Sequence, residues 1–153
     1  MKIKIGTVVK DKVTGLIGVA ENRASYLFGV DRYCVQPLAR NNTVPEAVMI
    51  DEMQLEICKD ESIRMEPMPE PKQIVKLGQV VTDIVTTTMG IATGRAVYLN
   101  GCARILVEWV NTETSDTIEK WFDERRLTTD GAIIITDKSA TKSSGGPCVS
   151  SKH

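Results

Sequence analysis

The chain reads Arg-Ala-Ser-Tyr-Leu-Phe-Gly at residues 23–29 and Arg-Ala-Val-Tyr-Leu-Asn-Gly at residues 95–101, an offset of 72 positions (95 − 23). The same offset, without a gap, places Gly6 on Gly78 and Asp51-Glu52 on Asp123-Glu124. A constant offset over this length indicates an internal duplication, and such repeats are built as repeated structural units. We therefore predict two copies of one module.

The duplication divides the chain into four parts. Residues 1–58 and 74–135 are the predicted modules, residues 59–73 a proline-rich linker, and residues 136–153 a tail. Three prolines alternate with other residues in Glu66–Pro71, a pattern that favours an extended, polyproline-like connector. The tail is polar and almost free of bulky apolar residues, so we expect it to be flexible and disordered.

Each module has the residue pattern of a small all-β fold. Runs such as Val8-Val9 and Val80-Val81 predict strands, and Asn100-Gly101 predicts a hairpin turn. Glycine and alanine within residues 17–25 indicate a close backbone approach. The Asp-Glu-x-x-Leu motif predicts a one-turn helical link, capped by its aspartate, before a fifth strand. This plan is that of two tandem SH3-like five-stranded barrels, and the small core of each favours face-to-face packing of the copies about a pseudo-twofold axis.

Three stretches of the first copy form a pattern that is shared with a known group of proteins. They are Thr-Gly-x-x-Gly-x-Ala-x-x-Arg-x-x-Tyr-Leu-x-Gly at residues 14–29, Tyr-Cys-Val-Gln-Pro at residues 33–37, and Asp51-Glu52-x-x-Leu55. This pattern resembles a group of small, mostly uncharacterised phage and prophage proteins, and the resemblance covers residues 5–57 and 77–129. It implies an SH3-like unit in each copy and an origin in a phage genome. The second copy departs from it at Glu108-Trp109, which replaces Gln36-Pro37.

Composition and charge narrow the function classes. Lys plus Arg is 19 and Asp plus Glu is 20, so the chain lacks the basic excess of a general nucleic-acid binder. No run of 18 apolar residues predicts a membrane span, and the start lacks a secretory segment, so we expect a cytoplasmic protein, by the resemblance in an infected bacterial host cell. The four cysteines are widely spaced, which disfavours a disulfide framework.

The sequence predicts no enzyme. The one histidine is His153, so no Ser-His or Cys-His nucleophile pair is placed within the modules. No glycine-rich phosphate loop or clustered set of metal ligands appears, so we expect no cofactor and no metal. Asp51-Glu52 and Asp123-Glu124 are adjacent acids whose side chains point apart, which favours capping or surface roles over catalysis.

The duplicated arginine and tyrosine are the residues with binding chemistry. A guanidinium fork beside an aromatic face, repeated twice, would suit a nucleotide or a symmetric dinucleotide. The alternative is that each arginine pairs with the duplicated aspartate and each tyrosine packs on its barrel. The candidate ligand-binding residues are Arg23, Tyr26, Arg95, Tyr98, Arg32, Arg104, Asp51 and Asp123.

Two function classes follow. In the first, this is a phage counter-defence protein that sequesters a small anionic, nucleotide-like ligand or blocks a host protein, without catalysis. In the second, it is a nucleic-acid-binding or assembly adaptor module, with nucleic acid disfavoured by the charge balance. Self-association as a homo-oligomer is a further alternative. We expect no membrane partner.

Overall fold

The computed structural model describes residues 2–59 and 65–135, which contain ten strands and two single-turn 3-10 helices. The first half contains β1 (Val8–Asp11), β2 (Ile17–Tyr26), β3 (Arg32–Pro37), β4 (Val48–Asp51), a first 3-10 turn (Glu52–Gln54) and β5 (Leu55–Ile57). The second half contains β6 (Val80–Asp83), β7 (Met89–Tyr98), β8 (Ala103–Val110), β9 (Thr117–Asp123), a second 3-10 turn (Glu124–Arg126) and β10 (Leu127–Thr128).

Strand starts recur at the offset found in the sequence. β6 begins 72 residues after β1 (80 − 8), and β7 begins 72 residues after β2 (89 − 17). The turn after the first strand of each half is stabilised by the same hydrogen bond. Asp11 Oδ2 accepts from Thr14 Oγ1 at 2.6 Å, and Asp83 Oδ2 accepts from Thr86 Oγ1 at 2.6 Å. An aspartate that bonds the chain two or three residues on stabilises a tight turn.

The folded chain consists of two compact units, each discontinuous in sequence. Among the described residues, unit 1 contains residues 2–24, 31–59, 65–73 and 96–104. Unit 2 contains residues 25–30, 74–95 and 105–135. Each unit therefore includes a short segment from the opposite half of the sequence: the hairpin tip at residues 96–104 belongs to unit 1, and residues 25–30 belong to unit 2.

Unit 1 has one hydrophobic core. In this unit β1 lies between β2 and β5, while β3 pairs with β2 and β4. The hairpin tip contributes Val97 to the core, and Leu99 N donates to Glu21 O at 2.8 Å. The core residues are Ile3, Ile5, Val9, Ala20, Tyr33, Val35, Ile50, Leu55 and Val97.

Unit 2 has a core of similar composition. Here β6 pairs with β7 and with β10. The segment taken from the first half is held by the bond from Leu27 N to Thr93 O at 2.8 Å. The core residues are Val75, Val81, Ala92, Ile105, Val107, Phe122 and Leu127.

Local predictions from glycine are confirmed. A Cβ on Gly18 would meet the carbonyl oxygen of Gln36 at 2.5 Å, so β2 and β3 approach closely there. The predicted hairpin turn is present, since Gly101 has φ +80° and its N–H donates to Tyr98 O at 2.9 Å. Positive φ at this site is a conformation that glycine adopts without a steric cost.

The all-β class predicted from the sequence is confirmed. Over residues 2–59 and 65–135 the strands form a multi-stranded antiparallel sheet that is not closed. The finer prediction of tandem SH3-like barrels stays a prediction. The predicted flexible tail, residues 136–153, lies outside the described residues, as do residues 60–64 of the linker. No helix in the described part of the chain has the length and apolar character needed to cross a membrane.

Candidate functional site

Arg95, on β7, is held in a buried two-bond ion pair within unit 2. Its Nε donates to Glu124 Oε1 at 3.2 Å and its Nη2 to Glu124 Oε2 at 3.0 Å. Glu124 Oε1 also accepts the backbone N–H groups of Ile74 and Val75, each at 3.1 Å. The carboxylate therefore satisfies the guanidinium and two backbone donors at once, an arrangement in which each charge compensates the burial of the other.

Arg23, the counterpart of Arg95, has different partners within unit 1. Its side chain is only 4% exposed, its Nη1 donates to Glu70, and its Nε lies 3.7 Å from Asp31 Oδ2. Glu52, the counterpart of Glu124, has a buried Oε1 with no hydrogen-bond partner among the described residues. Burial lowers the pKa of Arg23, but the hydrogen bond and charge of Glu70 outweigh this effect, so that the pKa lies above its ordinary value.

Tyr33 explains why the two copies differ. The second copy has Ile105 at this position, whereas the fully buried hydroxyl of Tyr33 accepts from Ile3 N and donates to Ile3 O, both at 3.1 Å. The N–H of Ile3 corresponds to that of Val75, which Glu124 binds in unit 2. Tyr33 thus replaces a carboxylate oxygen in this role. Burial, followed by the charge of Glu52, raises the pKa of Tyr33 to about 12, so the hydroxyl keeps its proton.

Both duplicated arginines are therefore engaged in ion pairs. The alternative predicted for them was pairing with Asp51 and Asp123, and the structure instead supplies other acids. These are Glu70 and Asp31 for Arg23, and Glu124 for Arg95. The duplicated Asp-Glu motif did point to the correct turn, but it is the glutamate in the second copy that reaches the arginine.

The predicted tyrosines lie in different environments. Tyr26 is half-buried in unit 2, where a Cβ added to Gly94 would come within 3.3 Å of its Cδ1. Tyr98 belongs to unit 1 and has the Cζ of Arg104 5.6 Å from its ring centroid. Arg23 belongs to the same unit as Tyr98, and Arg95 belongs to the same unit as Tyr26. The ring of Tyr98 is contacted by the exposed Arg104, a pair that was not predicted from the sequence.

Arg32 and the two aspartates have surface roles. Arg32 and Asp51 are opposite each other on β3 and β4, and Arg32 Nε donates to Asp51 Oδ1 at 3.0 Å in a cross-strand ion pair. Asp123 caps the second 3-10 turn by accepting from Arg125 N at 2.9 Å, which confirms its predicted capping role. The same role predicted for Asp51 is wrong, because its side chain makes no cap hydrogen bond and pairs with Arg32 instead.

β4 forms a free edge of unit 1. Its one neighbour among the described strands is β3. Glu52 N donates to Asp31 O at 2.9 Å, and the register pairs Met49 with Cys34. Since hydrogen-bonded and non-hydrogen-bonded pairs alternate in an antiparallel ladder, Met49 lies at a non-hydrogen-bonded position. The backbone N–H and C=O of Met49 therefore point away from β3, towards the open edge.

Two positions, one in β4 and one in the loop before it, are apolar in the first copy and charged in the second, whereas Met49 corresponds to the apolar Trp121. Val44 is 70% exposed, Val48 44% and Met49 38%. The residues 72 positions after Val44 and Val48 are Asp116 and Lys120. Charged residues, lysine above all, are the usual protection of an edge strand against pairing with another chain. The edge of β4 lacks this protection, and that of β9 has it.

Unit 1 also has a shallow pocket of about 460 Å³ beside β5. Two acids, Glu52 and Glu56, line it with a single cation, Lys12. This charge balance disfavours an anionic ligand in the pocket. In residues 2–59 and 65–135, histidine, cysteine, aspartate and glutamate side chains do not assemble into a group of three that could hold a metal ion.

Sequence reasoning did not identify Glu70, Tyr33 or the β4 edge. The contrast of Tyr33 with Ile105, and of Val48 with Lys120, is visible once the copies are aligned, and it is the signal that could have found them. Comparison of the copies could not have identified Glu70, because it lies in the segment between them and has no equivalent residue. No family model, curated protein or solved structure matches this chain.

Proposed function

We propose that this protein is a non-enzymatic binding protein that docks an extended segment of a partner protein on the free edge of β4. The observation that carries the proposal is the exposed, apolar pair Val48 and Met49 on β4, together with the outward-pointing backbone groups of Met49. Strand addition obtains its affinity from main-chain hydrogen bonds and its specificity from alternating side chains. An edge with both features suits a partner strand that carries apolar residues.

The contrast between the copies supports this assignment. An apolar edge favours pairing with any exposed strand, so proteins normally protect it with charge. The second copy carries Lys120 and Asp116 where the first has Val48 and Val44. A duplication in which Lys120 protects one edge strand and Val48 leaves the other unprotected fits a division of labour, with the first copy binding and the second supporting the fold.

The wider role follows from the resemblance to small phage proteins. We propose that the chain folds as two SH3-like barrels. We also propose that it is a counter-defence protein that blocks a host protein, since docking on an edge needs no catalytic group. A plaquing assay on bacterial strains that carry defined defence systems, with and without expression of this chain, tests that role. Unchanged phage restriction by every system would contradict it.

A second candidate function is binding of a small anionic ligand such as a nucleotide. It is supported by Arg104, whose exposed guanidinium lies over the ring of Tyr98 in unit 1 and offers a cation beside an aromatic face. Arg23 and Arg95 support it less, because their charges are already neutralised by Glu70 and Glu124. We therefore rank it after protein docking.

One panel separates these functions. Short random peptides are selected by display for binding to the protein, while nucleotides are screened by thermal shift and single- and double-stranded DNA by gel shift. Docking on β4 predicts peptides with alternating apolar residues that no longer bind after Val48→Lys. The matched control is Val13→Lys, which places the same charge at an exposed valine in the turn after β1.

The other outcomes of the panel are equally specific. A nucleotide that raises the melting temperature, with the effect lost in Arg104→Ala, supports the second candidate. Salt-sensitive DNA binding without a nucleotide response supports the nucleic-acid alternative. Failure to select any peptide, or peptides that bind the Val48→Lys variant as well as the wild type, refutes docking on β4.

A further inference from the structure

The segment between the two copies lies directly against unit 1. Met68 N donates to Ile5 O at 2.8 Å. Gly6, at φ +90°, faces the same segment, since a Cβ built there would meet Glu66 O at 2.8 Å and Pro67 Cα at 3.2 Å. The absence of a side chain on Gly6 therefore allows the backbone of the segment to approach. Residues 65–70 have no regular secondary structure and are exposed.

The segment supplies the carboxylate that neutralises Arg23. Glu70 is 38% exposed on the side-chain level and yet accepts a hydrogen bond from the Nη1 of Arg23, whose side chain is 4% exposed. In unit 2 the corresponding arginine obtains its carboxylate from Glu124, a buried residue of the second 3-10 turn. A guanidinium buried without a carboxylate is costly. Asp31 Oδ2 lies 3.7 Å from Arg23 Nε, beyond hydrogen-bond distance, so the hydrogen-bonded carboxylate of Arg23 comes from the segment.

This dependence results from Tyr33. Because the tyrosine hydroxyl binds Ile3 N, the role that Glu124 Oε1 plays towards Val75 N is already filled in unit 1. Glu52 retains a buried oxygen without a hydrogen-bond partner in the part of the chain that the structure describes. The guanidinium of Arg23 is then directed to a carboxylate of the proline-containing segment instead of to its own turn.

We propose that Arg23, the carbonyl of Ile5 and the surface of Gly6 form a recognition site for an extended peptide with a proline-flanked glutamate. Residues 66–71 (Glu-Pro-Met-Pro-Glu-Pro) occupy the site in cis. A partner chain with the same chemistry, a glutamate between prolines and one free N–H two residues before it, binds there when the segment is released. The site is separate from the edge of β4.

The chemistry of the segment suits reversible occupation. Pro67, Pro69 and Pro71 have no N–H group, so this stretch cannot pair on both sides as a central strand and offers its donors only at alternate residues. A segment with exposed backbone opens at low free energy compared with core strands. Tethering gives a covalently attached ligand an effective concentration in the millimolar range, so a peptide in trans competes poorly until the tethered copy is weakened.

The test uses the full chain and a labelled peptide of the sequence Glu-Pro-Met-Pro-Glu-Pro. In one variant, residues 66–71 are replaced by glycine and serine at equal length, and peptide binding is followed by fluorescence anisotropy. We expect at least a ten-fold higher affinity than for the wild type, and at least a ten-fold loss when the second glutamate of the peptide is changed to glutamine. Adding Arg23→Met to the replaced variant abolishes binding.

A second variant serves if the replaced chain does not fold. Glu70→Gln keeps the segment and its length but weakens its hold on Arg23, so the same peptide should bind this variant at least ten-fold more tightly than the wild type. Equal peptide affinity for the folded variant and the wild type would overturn the proposal and make the segment a structural brace. Binding that persists with the glutamine peptide would overturn the role of Arg23.

Discussion

The substitution Glu124→Gln tests the structural asymmetry between the copies. Glu124 is 3% exposed, makes both hydrogen bonds of the Arg95 pair and accepts two backbone N–H groups. Glutamine preserves the shape and retains one carbonyl oxygen that can accept from the backbone of Ile74 and Val75. It removes the charge that compensates the buried guanidinium of Arg95.

The expected loss follows from these contacts. Removing one partner of a buried ion pair costs about 3–5 kcal/mol, and we expect Glu124→Gln at the lower end because the backbone donors keep an acceptor. Glu124→Ala also removes that acceptor, which adds about 1–3 kcal/mol for the unpaired N–H groups. The double variant Arg95→Met with Glu124→Gln buries no unpaired charge, so it should lose less than Glu124→Gln alone.

The assay is urea unfolding followed by circular dichroism, with Glu52→Gln as the matched control. Glu52 stands at the same position of the first copy, but its buried Oε1 has no hydrogen-bond partner among the described residues, so the change should cost less than about 0.5 kcal/mol. Equal losses for Glu52→Gln and Glu124→Gln would contradict the role assigned to the Arg95–Glu124 pair. So would a double variant whose loss equals the sum of its two single variants.

Three further predictions concern pH, thiol chemistry and backbone strain. The hydrogen bond from Arg126 is the main cause that holds the pKa of Asp83 far below its ordinary value. The ionised Asp83 therefore contributes stability that is present above pH about 4 and is lost as pH falls through the folded-state pKa. Asp83→Asn should consequently flatten the decline of the urea midpoint between neutral and acidic pH. Burial raises the pKa of Cys34 to about 11, so at neutral pH iodoacetamide should label it on the order of 100-fold more slowly than an unperturbed thiol, as measured by peptide mass spectrometry; labelling at the ordinary rate would contradict this. Gly78→Ala should destabilise the protein more than Gly15→Ala, since both glycines have positive φ but a Cβ would collide with a backbone atom, the carbonyl oxygen of Ile135, at Gly78 and meet nothing at Gly15; equal melting temperatures would argue against the close approach.

Features set by short-range chemistry were predictable from sequence. The all-β class depends on runs of residues with high strand preference. The Asn100-Gly101 hairpin and the close approach at Gly18 each depend on one or two residues with well-defined conformational preferences. The exchange of residues 96–104 into unit 1 was not predictable in this way. This exchange depends on which of the two cores the hairpin tip packs into. Both cores are apolar, so an apolar residue such as Val97 could pack into either one.

The candidate site shows the same limit. Alignment of the copies placed the Asp-Glu motif on the correct turn, but it could not tell which acid would reach the arginine. In unit 1 the hydroxyl of Tyr33 binds the backbone donor that Glu124 binds in unit 2. Tyr33 is ten residues (33 − 23) from Arg23 along the chain but opposite it in the β2–β3 register. Long-range pairing of this kind is a property of the folded sheet.

The proposed docking of an extended partner segment on the edge of β4 involves the outward backbone groups of Met49. The most direct measurement is amide hydrogen exchange, resolved by residue, of the protein with and without a peptide selected for binding to it. Strand addition predicts that the outward N–H of Met49 becomes protected on binding, and that Met49→Pro, which removes this N–H without removing a β3–β4 bond, abolishes peptide binding. Unchanged exchange at Met49, or full binding by the folded Met49→Pro variant, would contradict the proposed docking.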